Sequence, residues 1–123
     1  DVALVVGKST KRVHVSKQFL AIHSPVFEAM FVKQLKDKEH VELKDVKHTE
    51  FLDLLRVIYP PHLEINARNV THILALADRF EVKSATEVAE RYLIRTKQFD
   101  LVKKLQFADR YRLPLLRNIC LSF

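Results

Sequence analysis

The sequence predicts an α/β domain that is mainly helical, with a small three-stranded sheet flanked by helical hairpins. Three observations carry that expectation. Two short, β-branched stretches at residues 1–6 and 12–15 flank the one glycine of the chain, and a third follows at 41–43. From residue 49 onward, apolar residues recur at helical spacing. The composition, with one Gly and four Pro among 123 residues against many Leu, Val, Lys and Glu, favours helices over a loop-rich or all-β chain. That length fits one domain, and hydrophobic residues at 48% supply its core.

Each element can be justified in order. Asp1 to Val6 is apolar and β-branched, Gly7-Lys8-Ser9-Thr10 is a turn, and Arg12-Val13-His14-Val15 alternates polar and apolar; together they read as a hairpin. Ser16 caps a helix to about His23. Ser24-Pro25 begins a second, with Ser as cap and Pro in the first turn. Residues 19–31 are nearly all apolar, so both helices are buried, in the core or at an interface. Residues 34–40 are charged and read as a loop. Val41-Glu42-Leu43 is the third strand, which Asp45 helps to end. From Thr49 to Tyr59, Phe51, Leu54, Leu55 and Ile58 share a helix face, and Pro60-Pro61 stops it. Asn66 is the expected cap of the next helix, whose core face carries Val70, Ile73, Leu74 and Ala77. Further helices are expected over about 84–96, 99–111 and 114–121.

The chain contains a partial internal repeat. Leu76-Ala77-Asp78-Arg79-Phe80 returns as Phe107-Ala108-Asp109-Arg110-Tyr111, thirty-one residues later, and in that register Val82 falls on Leu113 and Val88 on Ile119. This reads as one helical hairpin used twice, since stacked helix pairs bury faces that a single pair leaves open. The Asp-Arg step of each copy reads as a solvated or capping pair at a helix end.

Composition removes several function classes. The net charge of +6 is spread through mixed runs such as Lys36-Asp37-Lys38-Glu39, without a block of like charge, so solvated helix faces are expected rather than a nucleic-acid footprint. No apolar run approaches the ~18 residues of a membrane span. The six histidines, His14, His23, His40, His48, His62 and His72, have no second His or Cys at zinc spacing. One glycine cannot build a phosphate-cradling loop, and no G-x-S-x-G stretch occurs. Neither catalysis nor a cofactor is expected. Cys120 is the only cysteine, so no disulfide forms within these residues; it reads as a small core hydrophobe in a reducing compartment, cytoplasmic or nuclear. The opening at Asp1, straight into an apolar strand, is expected to belong to a longer protein.

The motifs, taken in order, resemble a known family. Asp1 to Val6 resembles the opening strand of BTB/POZ domains. Val13-His14-Val15-Ser16-Lys17-Gln18-Phe19-Leu20-Ala21-Ile22-His23-Ser24-Pro25-Val26-Phe27 resembles their second strand and first two helices. Val41 to Val46, Phe51 to Tyr59 and Asn69 to Phe80 resemble the third strand and the helices after it. The resemblance covers about residues 1–96, and Val57-Ile58-Tyr59-Pro60-Pro61 is similar to nematode members that carry a MATH domain ahead of the BTB domain. It implies a BTB/POZ fold over 1–96 with a C-terminal helical extension, 97–123, packed on it as one unit.

The resemblance also implies a function. The family binds proteins, and many members join a cullin-three scaffold to a substrate that is then ubiquitinated. Their cullin contact is a hydrophobic residue, any residue, then Glu after the second helix; the matching positions here are Leu35, Lys36 and Asp37, with Asp in place of Glu. Tyr59 matches a position near that surface. The extension tilts the expectation toward cullin binding over a homodimerising scaffold or co-regulator-binding module. Homodimers of the family form through the first helices, which places Phe19, Leu20, His23 and Phe27 at the expected dimer interface. The implied partners are thus a cullin-three scaffold, a second copy, and a substrate held by a domain outside these residues, with neither nucleic acid nor membrane.

Overall fold

The computed structural model describes residues 2–8, 12–34 and 40–122. The sheet is three-stranded, with the first strand of the chain at its centre. Strand β1, Val2–Val6, pairs antiparallel with β2, Arg12–Val15, so that Val2 lies opposite Val15 and Leu4 opposite Val13. On its other edge it pairs in parallel with β3, His40–Leu43, Leu4 opposite Val41. A central strand covered on both faces is apolar without alternation, and Val2, Ala3, Leu4 and Val6 are all buried. Gly7 follows β1 at φ +67°, and a Cβ built there would lie 2.6 Å from the Val46 carbonyl oxygen. The turn therefore requires glycine twice over, for its backbone angle and for its close approach.

Two short helices connect β2 to β3. Helix α1, Lys17–His23, is capped by Ser16, whose Oγ accepts from the Phe19 N–H at 3.3 Å. Helix α2, Pro25–Gln34, is capped by Ser24, whose Oγ accepts from the Phe27 N–H at 3.1 Å. The same hydroxyl donates to the Phe80 carbonyl, fifty-six residues further along the chain. Both caps lie where Ser16 and Ser24-Pro25 predicted them.

Helix α3, His48–Ile58, buries Phe51, Leu54, Leu55, Val57 and Ile58, and ends at Tyr59 before the two prolines. Helix α4, Val70–Arg79, begins later than Asn66 alone implied. Asn66 first organises a turn, in which its Oδ1 accepts from the N–H groups of Arg68 and Asn69 while Asn69 Oδ1 accepts from the Asn66 N–H. Phe27, Phe51 and Phe80, fully buried on α2, α3 and just past α4, form the aromatic centre of the core. Phe27 and Phe80 stack at 4.6 Å, and Phe51 meets each edge-on at 5.9 Å.

The remaining helices are α5, Lys83–Arg95; α6, Leu101–Tyr111; and α7, Pro114–Leu121. Helix α6 starts two residues after Phe99, because Asp100 caps it through the Lys103 N–H at 2.8 Å. The α6–α7 hairpin packs on α4–α5, α6 against α4 and α7 against α5. The 31-residue repeat is realised at the turns. Glu81 at φ 53° and Arg112 at φ 54° occupy equivalent left-handed positions, and Val82 and Leu113 donate their N–H groups back to Ala77 and Ala108. Each helix ends in a Schellman-type reversal with a buried residue after the left-handed one.

Candidate protein-interaction surface

Two faces carry exposed apolar residues. The first lies on α1 and α2, where Ile22 is 81% and Val32 65% exposed, and Phe19, Val26, Met30 and Phe31 are half-buried. The second lies on the extension, where Leu101, Val102, Leu115, Ile119 and Leu121 are exposed. Around them stand Lys97, Lys103, Lys104, Arg110, Arg112 and Arg117 against only Asp100 and Asp109, so residues 97–123 carry +4 of the net +6. Arg117 pairs with Asp109 at 2.6 Å and Arg112 with Asp78 at 4.0 Å. Two-thirds of the net charge thus falls on the last 27 residues.

The structure separates the residues expected at interfaces into three groups. Leu20 and Phe27, 1% and 0% exposed, belong to the core of a single chain and present nothing to a partner. Phe19 and His23 lie on the surface side of α1, and Phe19 meets Tyr59. The Phe19 ring stacks on Tyr59 at 4.2 Å and lies 4.7 Å from the His23 ring, and His23 Nδ1 is 3.3 Å from Ser84 Oγ on α5. Tyr59 is half-buried, and among the described residues its hydroxyl has no hydrogen-bond partner. Leu35, Lys36 and Asp37 lie outside the described residues.

Sequence reasoning passed over Ile22 and Val32 as individual positions. A signal was available for Val32: α2 carries Val26, Phe27, Met30, Phe31 and Val32, more large apolar positions than one buried stripe holds. Only part of it is covered by the core. No groups of three or more His, Cys, Asp or Glu that could hold a metal occur among the described residues. His72 comes nearest, but its Nε2 faces Asp53 at 2.7 Å and its Nδ1 faces Glu50 at 4.0 Å, so the two carboxylates flank the ring from different nitrogens rather than converging. Among the described residues no helix is long and apolar enough to cross a membrane.

Comparison with known families identifies the domain. The family model of the BTB/POZ domain matches residues 1–97. The chain belongs to the BTB/POZ family. Among curated proteins, this BTB/POZ chain is 49% identical to BTB and MATH domain-containing protein 36 of Caenorhabditis elegans, over 99% of the chain and 38% of that protein. It is 40% identical to BTB and MATH domain-containing protein 38 of the same species, over 98% of the chain and 31% of that protein. Human Kelch-like protein 23 is 32% identical over 89% of the chain and 21% of its own length. The chain thus spans well under half the length of these relatives. Among solved structures, the BTB domain of human gigaxonin superposes with a TM-score of 0.64 over 75% of each chain at 17% identity, which establishes the fold. The nematode relatives match across the extension as well as the BTB/POZ domain. The BTB/POZ fold is a protein-interaction fold.

Proposed function

We propose that this BTB/POZ domain is the cullin-binding module of a substrate adaptor for a cullin-three ubiquitin ligase, acting in the cytoplasm or nucleus, and that it homodimerises through α1 and α2. The observation that carries the adaptor reading is the α6–α7 hairpin. It lies beyond the matched BTB/POZ region yet packs on α4 and α5, adding an apolar, basic-rimmed surface beside the domain. Such a surface suits a partner helix laid along a groove, with apolar anchors inside and charge at the rim. The substrate would be held by another part of the full-length protein, and no catalytic step is assigned to this domain. Dimerisation is supported by Ile22 on α1 and Val32 on α2, large apolar side chains left exposed that a symmetric interface could bury.

The decisive experiment is calorimetric titration of the domain with the N-terminal domain of cullin-three, alongside Asp37→Lys. Binding at micromolar or lower Kd is expected, weakened at least tenfold by the charge reversal. A well-folded domain that shows no heat of binding would remove the adaptor reading and leave a homodimerising scaffold.

A further inference from the structure

Glu90 is buried on α5, a helix whose other charged residues, Lys83, Glu87, Arg91 and Arg95, face solvent. Burying a carboxylate is costly unless it is hydrogen-bonded. Its Oε2 accepts from the backbone N–H of Leu116 at 3.1 Å, twenty-six residues away in sequence. Leu116 is the third residue of α7, and α7 begins without a cap of its own: the residue before it is Leu113 and its first residue is Pro114. First-turn N–H groups require acceptors from outside their helix, and the positive end of the helix dipole favours an anion there. Glu90 thus supplies across the hairpin contact the cap that Asp100 supplies locally to α6.

The repeat shows that this carboxylate is not part of the shared hairpin pattern. In the 31-residue register Glu90 falls on Leu121, which is exposed. The acid therefore belongs to the contact between the two hairpins rather than to either one. We propose that Glu90 is a positioning residue, whose carboxylate latches the α6–α7 hairpin onto α5 and sets the stance of the extension against the BTB/POZ domain. The functional weight of the latch rests on the adaptor reading above, in which the extension forms one wall of the partner groove.

The test is amide hydrogen exchange on the wild type, Glu90→Ala and Glu90→Gln, with each protein also titrated against the cullin-three N-terminal domain. In Glu90→Ala the α7 amides exchange roughly tenfold faster, as loss of a helix cap predicts, while α3 keeps its wild-type rates. Glu90→Gln, whose amide oxygen still accepts from Leu116, restores most of the protection. Cullin affinity falls severalfold in the alanine variant and recovers in the glutamine variant. Equal acceleration in α3 and α7 means general destabilisation and overturns the proposal, as does unchanged exchange in α7. Confined acceleration with unaltered cullin affinity overturns the positioning role. If the wild type binds no cullin but the acceleration is confined to α7, the latch stands and the adaptor reading falls. Should Glu90→Ala not fold, Glu90→Asp, one methylene shorter, takes its place with the same expected pattern.

Discussion

Ser24 shows how much one small polar side chain can hold. It is fully buried, caps α2 through the Phe27 N–H, and donates to the Phe80 carbonyl fifty-six residues away. Ser16 makes only the first kind of contact, at a half-buried site. The two serines look alike in the sequence, each just ahead of an apolar helix, and both caps were legible there. The long-range bond was not, because nothing local to residue 24 encodes the position of residue 80. The difference is measurable. Ser16→Ala should cost about 0.5–1 kcal/mol, the ordinary value of a cap. Ser24→Ala should cost about 2–3 kcal/mol, since it also leaves a buried carbonyl without its donor. For a domain of this size that is a fall in Tm of roughly 10 °C, to be read by calorimetry. Equal losses from the two substitutions would mean that the Phe80 bond contributes nothing.

At the scale of elements, the three strands and seven helices of the described residues were legible, in order, from apolar periodicity, capping residues and prolines. Boundaries moved where a side chain organised the backbone ahead of the helix, as Asn66 does before α4 and Asp100 before α6. The repeat was legible too, but its structural meaning emerged only with the left-handed residues at Glu81 and Arg112. An L-residue in that region carries strain of about 1–2 kcal/mol, against the larger entropy that glycine loses on folding, about 0.5–1 kcal/mol. Glu81→Gly and Arg112→Gly should therefore each stabilise by about 0.5–1 kcal/mol, raising the urea midpoint without changing the slope of unfolding. Loss of stability in either variant would show that the side chain itself holds the turn. What the sequence could not divide was the apolar run of residues 19–31. Leu20 and Phe27 serve the core while Ile22 and Val32 face outward, and hydrophobicity alone does not tell a residue that meets its own chain from one that meets another.

For the whole molecule, the division of apolar surface between core and exterior becomes a statement about assembly. The core is complete in one chain: Phe27, Phe51 and Phe80 are closed off, and four of the five residues of the central strand β1 are buried. Ile22 and Val32 add nothing to it, so their substitution should leave the monomer intact. In a twofold interface each residue occurs twice, and a single substitution acts at two places. Placing a charge against an apolar partner at each copy of Ile22 costs about 2 kcal/mol per site, close to the value of a buried Ile side chain. The dimer as a whole then loses about 4 kcal/mol, nearly a thousandfold in its dissociation constant. Ile22→Asp should accordingly sediment as a monomer at concentrations where the wild type is a dimer, with an unchanged thermal transition when both are compared as monomers. A wild-type chain that sediments as a monomer throughout the micromolar range would sink the dimer reading. A dimer untouched by Ile22→Asp would move the interface away from α1, and the basic, apolar face of α6 and α7 would be the next place to put a charge.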